Sequence, residues 1–409
     1  MSTIRARQTR LILALLATIL TAATRAQTPD SGTSAAQAAR FVVTSEMATR
    51  FAQIAPRIVR AADLGPGKTA LVHGGAFMLP FMQQLAIEIE RAGAVAVMTV
   101  TTDSLERASD ANPAAERSSV PDALRAAMTT SADVWFTFPL VEDVSIYTAR
   151  TPAQQRVAAR IDSIWRPLVA RRREVYIAVP LPRDAAANGY SLADYTRITW
   201  ESMSADYAQI AANGRSIRQR LARARTIHVT SPEGTDITFT PANVEPLLDA
   251  GPVNTFLPGA PRRPTVVPGG ALDLVVNEAS ASGKIRAPWD FCNTPVKDEA
   301  IDIDHGRVTS VRTGTEETCV RQAVSNLHLS FLSIGLNPTH SNAARASEMA
   351  TDFRSAGLVL IGLGSNTRLG GSNAEQPQWV VPLPRATVEA DGVAVLRDGV
   401  LMPEADQRR

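Results

Sequence analysis

Apolar residues recur at helical spacing from about Ala39 through Phe41, Met47, Phe51, Ile54 and Ile58, which predicts a first amphipathic helix. The turn Gly65-Pro-Gly-Lys68 then leads into the apolar run Thr69–His73. From there short β-rich runs alternate with helical ones. Strands are expected at 69–73, 93–100, 132–138 and 174–179, and helices at 79–91, 121–128 and 152–170. Short apolar strands separated by helices predict a parallel sheet covered on both faces. A helix rich in arginine follows over about 202–225.

The texture changes near Arg225. Downstream, strands and turns dominate, with strands expected at 226–230, 235–240, 271–276, 283–287, 300–303 and 308–311, and helices at 320–328 and 343–353. The expected fold class is therefore α/β in two domains. An N-terminal Rossmann-like parallel domain would span 39–225, and a C-terminal mixed, strand-rich α+β domain would span 226–403, with a tail at 404–409. No internal repeat is visible.

The N-terminus changes the picture of where the protein resides. Arg5, Arg7 and Arg10 precede the uncharged apolar run Leu11–Ala23, and Thr24-Arg25-Ala26 offers small residues at a cleavage site. Residues 1–26 read as a secretory signal and 27–38 as a flexible lead-in; the run is too short to span a bilayer with ease, an uncleaved anchor being the alternative. Export to the periplasm or beyond is expected, with no membrane span in the mature chain. The formal charge of the 409-residue chain is +2. The segment removed carries four arginines and no acid, so the mature chain is left with 38 basic and 40 acidic residues. That balance gives no basic stripe for nucleic acid. In an oxidising compartment Cys292 and Cys319 could pair, two separate buried thiols being the alternative.

Several tempting motifs fail on context. Gly65-Pro-Gly-Lys-Thr69 has the end of a phosphate loop, yet Ala62 stands where the first Gly is needed and the strand follows the loop instead of preceding it. The five histidines, His73, His228, His305, His328 and His340, show no paired metal spacing. His305 sits in a hairpin-like turn beside Asp302 and Asp304, an alternation that more often marks a solvent-facing strand. No Gly-x-Ser-x-Gly elbow is present.

A series of landmarks in the second half carries a resemblance. In order they are Pro232-Glu-Gly-Thr-Asp-Ile-Thr-Phe239, Val267-Pro-Gly-Gly-Ala271, Glu278-Ala-Ser-Ala-Ser-Gly283, Ser333-Ile-Gly-Leu-Asn-Pro338, Leu360-Ile-Gly-Leu-Gly-Ser-Asn366, Gly370-Gly-Ser-Asn373 and Glu389-Ala-Asp-Gly392. The series resembles the aminopeptidase T family of metal-dependent aminopeptidases. The resemblance implies two-domain subunits that dimerise, and two divalent ions such as zinc, cobalt or manganese. The ions would be held by carboxylates and imidazoles, acidify a water and polarise a peptide carbonyl.

Carried over position by position, the family's ligands fall here on Ala271, Phe331, Leu360, Gln378 and Val380. Four of these have no donor atom and Gln is a weak one. The expectation is thus an aminopeptidase-like protein without the family's metal centre and with no cofactor, binding a peptide or small molecule. Its pocket would include Trp379, with Asn366, Asn373, Gln378 and Arg385 as polar groups. The alternative is an active metallo-aminopeptidase with a relocated site drawn from Asp273, Glu278, His328 and Glu375.

Overall fold

In a computed structural model of the chain, residues 41–110, 123–169, 172–187, 190–257, 263–287, 299–312, 324–339, 354–376 and 378–402 are described. The signal segment, the lead-in, Cys292, Cys319, the helix expected over 343–353 and the tail lie outside them. No helix among the described residues is long and apolar enough to cross a membrane.

The chain forms two compact units. The first holds the described residues up to Ser204 together with Gly251–Pro268, and the second holds Ala205–Ala250 and Gly269 onward.

The first unit opens with the helix Ser45–Ala61, whose first turn is capped by the Thr44 hydroxyl accepting from the Met47 amide at 3.2 Å. Its residues Phe51, Ile54, Ala55, Ile58 and Val59 are buried, the i, i+3, i+4 stripe expected of an amphipathic helix. Phe51 meets the rings of Phe81, Phe138 and Trp200 at centroid distances of 5.3 to 6.3 Å, and this aromatic cluster anchors the core. The strands are β1 (Thr69–Gly75), β2 (Val95–Thr101), β3 (Val134–Thr137) and β4 (Glu174–Ile177). The turn Gly65–Lys68 launches β1, closed by the Lys68 amide on the Gly65 carbonyl. Helices Leu79–Arg91 and Pro152–Val169 lie where the periodicity puts them.

A separate helix, Leu192–Met203, ends just ahead of the helix expected over about 202–225, which is present as Tyr207–Arg223. The break has a local cause. The Asp206 carboxylate accepts from the Ala208 and Gln209 amides at 3.0 and 3.1 Å, capping a new helix. The second helix belongs to the second unit, where Gly214 lies against Leu248 and Leu336. The change of unit thus falls at Ser204, ahead of the composition shift near Arg225.

The second unit continues with β5 (Ile227–Thr230), β6 (Asp236–Pro241) and β7 (Leu247–Asp249). The chain then returns to the first unit for β8 (Thr265–Val267), which pairs in parallel with β4. That completes a five-stranded parallel sheet in the order β2-β1-β3-β4-β8.

Back in the second unit, β9 (Ala271–Ala287) is a single long strand, where two separate strands, 271–276 and 283–287, were expected. The run Glu278–Gly283 does not reverse the chain. The Ser280 hydroxyl accepts from the Thr240 amide at 2.8 Å at an irregularity in the β6 pairing, so the strand bends and continues. The remaining strands are β10 (Glu299–Asp304), β11 (Arg307–Arg312), β12 (Leu329–Gly335), β13 (Val359–Leu363), β14 (Trp379–Leu383), β15 (Thr387–Ala390), β16 (Val393–Arg397) and β17 (Val400–Leu401). They build a curled antiparallel sheet in the order β14-β13-β12-β9-β6-β5-β15-β16-β17, with the β10–β11 hairpin beside β9. His305 sits in that hairpin's turn, exposed, with Asp302 paired to Arg312 at 2.8 Å. Of the segment 320–328 expected to be helical, 324–328 are described: Val324 is helical, a turn follows, and His328 forms a bridge to Arg307.

Candidate functional site

Four adjacent strands of the second unit place the carried-over positions on one face. Residues opposite each other in an antiparallel pair point to the same side. Gly335 is opposite Ala271, Ser333 opposite Asp273 and Phe331 opposite Val275. Ser333 is also opposite Leu360, and Phe331 opposite Gly362. Gly362 is opposite Val380, and Leu360 opposite Pro382. Ala271, Phe331, Leu360 and Val380 therefore share one face, with Asp273, Ser333 and Gly362 among them. The other face carries Leu272, Leu274, Leu332, Ile334 and Ile361, all buried, and Leu248, which is opposite Leu272 and touches Gly214 of the helix Tyr207–Arg223.

The shared face is apolar at its centre. Ala271, Phe331 and Leu360 are buried, and Val380, Asp273 and Gln378 at its margin are half-buried. The Phe331 ring lies directly over Gly362. Asp249, opposite Ala271 on β7, adds a second carboxylate beside Asp273, and the strand pattern gave no signal for it because β7 is three residues long.

One end of this face is held by a chain of hydrogen bonds. The loop after β13 folds around the buried Asn366, whose Nδ2 donates to Glu278 Oε1 at 3.1 Å and to the Ser330 carbonyl at 3.2 Å. Its Oδ1 accepts from the Asn373 amide at 2.9 Å. Asn373 in turn binds Glu375, accepting from its amide at 2.7 Å and donating Nδ2 to Oε2 at 3.3 Å. Glu375 then clamps His328 twice, through the His328 amide to Oε2 at 3.0 Å and through Nδ1 to Oε1 at 2.7 Å. Burial pushes the Glu375 carboxyl up, but the His328 amide and ring and the Asn373 side chain outweigh it and hold the group below the usual glutamate range.

An irregularity in β12 decides where His328 points. Leu329 is opposite Leu363, on the core side, while Phe331 is opposite Gly362, on the other. Counting back one residue from Leu329 puts His328 on the same side as Phe331.

Of the residues expected at the site, Glu278, His328, Glu375, Asn366 and Asn373 come together. Asp273 sits farther along β9, on the same face. Two are elsewhere. Trp379 is opposite Leu363, on the face away from Val380, because adjacent strand residues alternate sides. Arg385 lies beyond the far end of β14, with φ of 52° and an ion pair to Glu233 at 3.1 Å.

The chain matches the model of the family described as NicX: 2,5-dihydroxypyridine 5,6-dioxygenase over residues 203–403, which spans nearly all of the second unit. No curated protein matches it. Among solved structures it resembles a 2,5-dihydroxypyridine dioxygenase from Pseudomonas putida KT2440, with a TM-score of 0.57 at 16% identity over 88% of this chain and 99% of that one. It also resembles AmpT from Thermus thermophilus, with a TM-score of 0.55 at 16% identity over 87% and 99%. The likeness is one of fold. The aminopeptidase kinship expected from the landmarks holds at that level, and the family model that matches is a different one.

The resemblance read from the landmarks implies a two-metal centre, and the residues present test it. Divalent ions need carboxylate, imidazole or thiolate donors converging at close range. At four of the five carried-over positions the chain offers methyl, benzyl, isobutyl and isopropyl groups and at the fifth, Gln378, a neutral carboxamide, and the Phe331 ring lies over Gly362 of β13. Among the described residues no three Asp, Glu, His or Cys side chains converge. The two-metal centre implied by the resemblance does not fit this face.

Proposed function

We propose that the protein is exported and that its second unit binds a small organic molecule on an apolar face that has no use for resident metals. The observation that carries this reading is the placement of Ala271, Phe331, Leu360 and Val380 side by side on one face. Small-molecule sites are concave and mostly apolar, with a few convergent polar groups. Here the polar groups would be Asp249 and Asp273 at one border and His328 at the other. The fold likeness to a dihydroxypyridine dioxygenase favours a flat aromatic ligand over a peptide. Dimerisation, which the resemblance implies, is part of the same proposal. The test is calorimetric titration with 2,5-dihydroxypyridine and with an apolar dipeptide, each in the presence of a chelator. Chelator-resistant binding of the aromatic compound, lost in Phe331→Glu, supports the reading. Binding that requires added metal sinks it.

A second reading, a metallo-enzyme with a relocated centre, draws on the proximity of Glu278, His328 and Glu375. Against it stands their hydrogen bonding, since Nδ1 of His328 and an oxygen of each carboxylate are already engaged. Elemental analysis of desalted protein separates the two. One or two retained equivalents of zinc, cobalt or manganese would favour the relocated centre, and less than about a tenth of an equivalent would favour the first reading.

A further inference from the structure

We propose that the helix Asp103–Asp110 is a salt-sensitive strap, held down by charged side chains, that closes the carboxyl end of the first unit's parallel sheet. The proposal concerns a different unit from the small-molecule reading above and does not depend on it.

An amphipathic helix docks through apolar residues at i, i+3, i+4 and i+7. In this helix those positions are Asp103, Glu106, Arg107 and Asp110, and no residue of it is buried. Its one large apolar residue, Leu105, is 52% exposed. The three acids are its half-buried residues, and each member of the stripe is tied to the end of β2 or to the segment after β3. The Asp103 carboxylate accepts from the Glu142 and Asp143 amides, each at 2.9 Å. Glu106 accepts from the Thr101 hydroxyl at 2.8 Å and from the Tyr147 hydroxyl at 3.3 Å. Arg107 pairs with Asp143. Asp110 accepts two bonds from the Arg150 guanidinium, at 2.6 and 2.7 Å, and the two side chains are only 14% and 7% exposed. The same guanidinium lies 4.7 Å over the Tyr147 ring.

The strand order says what the strap covers. The helix follows β2, and β1 lies between β2 and β3. The bonds from Asp103 to residues 142 and 143 therefore cross the carboxyl end of β1. From β1 the chain continues to β2 on one side, and from β3 to β4 on the other. Open parallel sheets take ligands beyond the carboxyl ends of their strands at such a divergence. At this end the Gly75 amide donates to the Pro139 carbonyl at 2.9 Å, which draws the β1 and β3 loops together. Salt screens contacts between charges near a surface and leaves apolar contacts unscreened. Access to the crevice between β1 and β3 thus depends on ionic strength.

Hydrogen exchange of the full chain, in low salt and in about 1 M sodium chloride at one pH, tests this; the Debye length at the higher salt is about 3 Å. Peptides covering 103–110 should exchange at least about threefold faster in high salt, and the Gly75 amide should follow them. The helix Leu79–Arg91, docked by buried Phe81, Met82, Leu85 and Ile89, should not change. Asp110→Asn removes the charge opposite Arg150 and should speed exchange over 103–110 in low salt by about tenfold or more. Leu105→Ala should leave it as it is. Protection over 103–110 that ignores both salt and Asp110→Asn overturns the proposal, as does an equal loss in Leu105→Ala, which would show apolar docking. Loss shared with Leu79–Arg91 overturns it too, since the unit then unfolds as a whole. So does a released helix with the Gly75 amide still protected, because the helix then frays without opening anything.

Discussion

The ring of Phe331 fills the space above Gly362 so completely that a Cβ at 362 would collide with its Cε1, Cδ1 and Cζ atoms. Glycine at 362 and phenylalanine at 331 are thus one steric unit, and the pair closes the place where a ligating side chain would reach across from β12. Gly362→Ala should destabilise the protein by about 1–3 kcal/mol, the usual cost of overpacking a fitted site. Phe331→Ala/Gly362→Ala should be less unstable than the sum of the single changes, because removing the ring removes the clash. Urea unfolding of the four proteins reads the coupling, and strict additivity would show that the ring simply swings away.

Asn366 makes a second prediction. Its amide joins three separate parts of the second unit, Glu278 on β9, Ser330 on β12 and Asn373 in its own loop. Asn366→Ala leaves these groups unmatched, at about 1–3 kcal/mol for each buried one. Asn366→Asp keeps the acceptor for the Asn373 amide but sets a carboxylate against Glu278 Oε1 and the Ser330 carbonyl. It should therefore be the less stable variant at neutral pH and recover on acidification, while the alanine variant should show no such recovery. Thermal midpoints of both variants against pH check this.

The sequence exposes those features whose cause is local. The helix Leu79–Arg91 falls on the expected residues because its apolar spacing, its early Pro80 and its closing Arg91 all lie within it. The first unit's strands are apolar runs and need no partner to be recognised. β12 is different. Leu329-Ser-Phe-Leu-Ser-Ile-Gly335 is buried on both faces, so its serines read as breaks when they are core positions. Whether a residue faces the site depends on pairing across strands distant in sequence. That is why Val380 lies on the face while its neighbour Trp379, expected there, does not. The clasp from Glu278 through Asn366 and Asn373 to Glu375 and His328 spans nearly a hundred residues, and no periodicity encodes it. In the sequence its members stand out only as polar residues near the landmarks.

Glu375 gives a pH prediction with a definite sign. Its carboxyl titrates below the ordinary value of 4.5 in the folded protein, since the three donors outweigh the effect of burial. A lowered folded value means that the ionised group contributes stability at pH above the unfolded value and that this contribution is lost as pH falls through the folded one. Glu375→Gln should lower the thermal midpoint near neutrality and flatten the acid side of the stability curve. Equal midpoints for wild type and variant from about pH 3 to 7 would show that the clamp contributes nothing to folding.

Asp184 in the first unit has the opposite sign. Burial pushes its carboxyl from 3.8 up to about 6, and the neighbouring Arg183 guanidinium, 3.5 Å away, opposes the rise without cancelling it. A carboxyl whose folded value is raised favours the folded state fully below the unfolded value, and that advantage is lost as pH rises from about 4 through about 6. A rise of that size corresponds to roughly 3 kcal/mol, at about 1.4 kcal/mol for each tenfold change in proton affinity. Asp184→Asn fixes the group in a neutral form of the same shape. The stability of the wild type relative to this variant should therefore fall across that window and level off above it. Denaturant unfolding of the two proteins at several pH values isolates the difference, because every other titrating group cancels. A constant difference from pH 4 to pH 7 would mean that the carboxylate keeps enough solvent, or enough of Arg183, to ionise as it does in the unfolded chain.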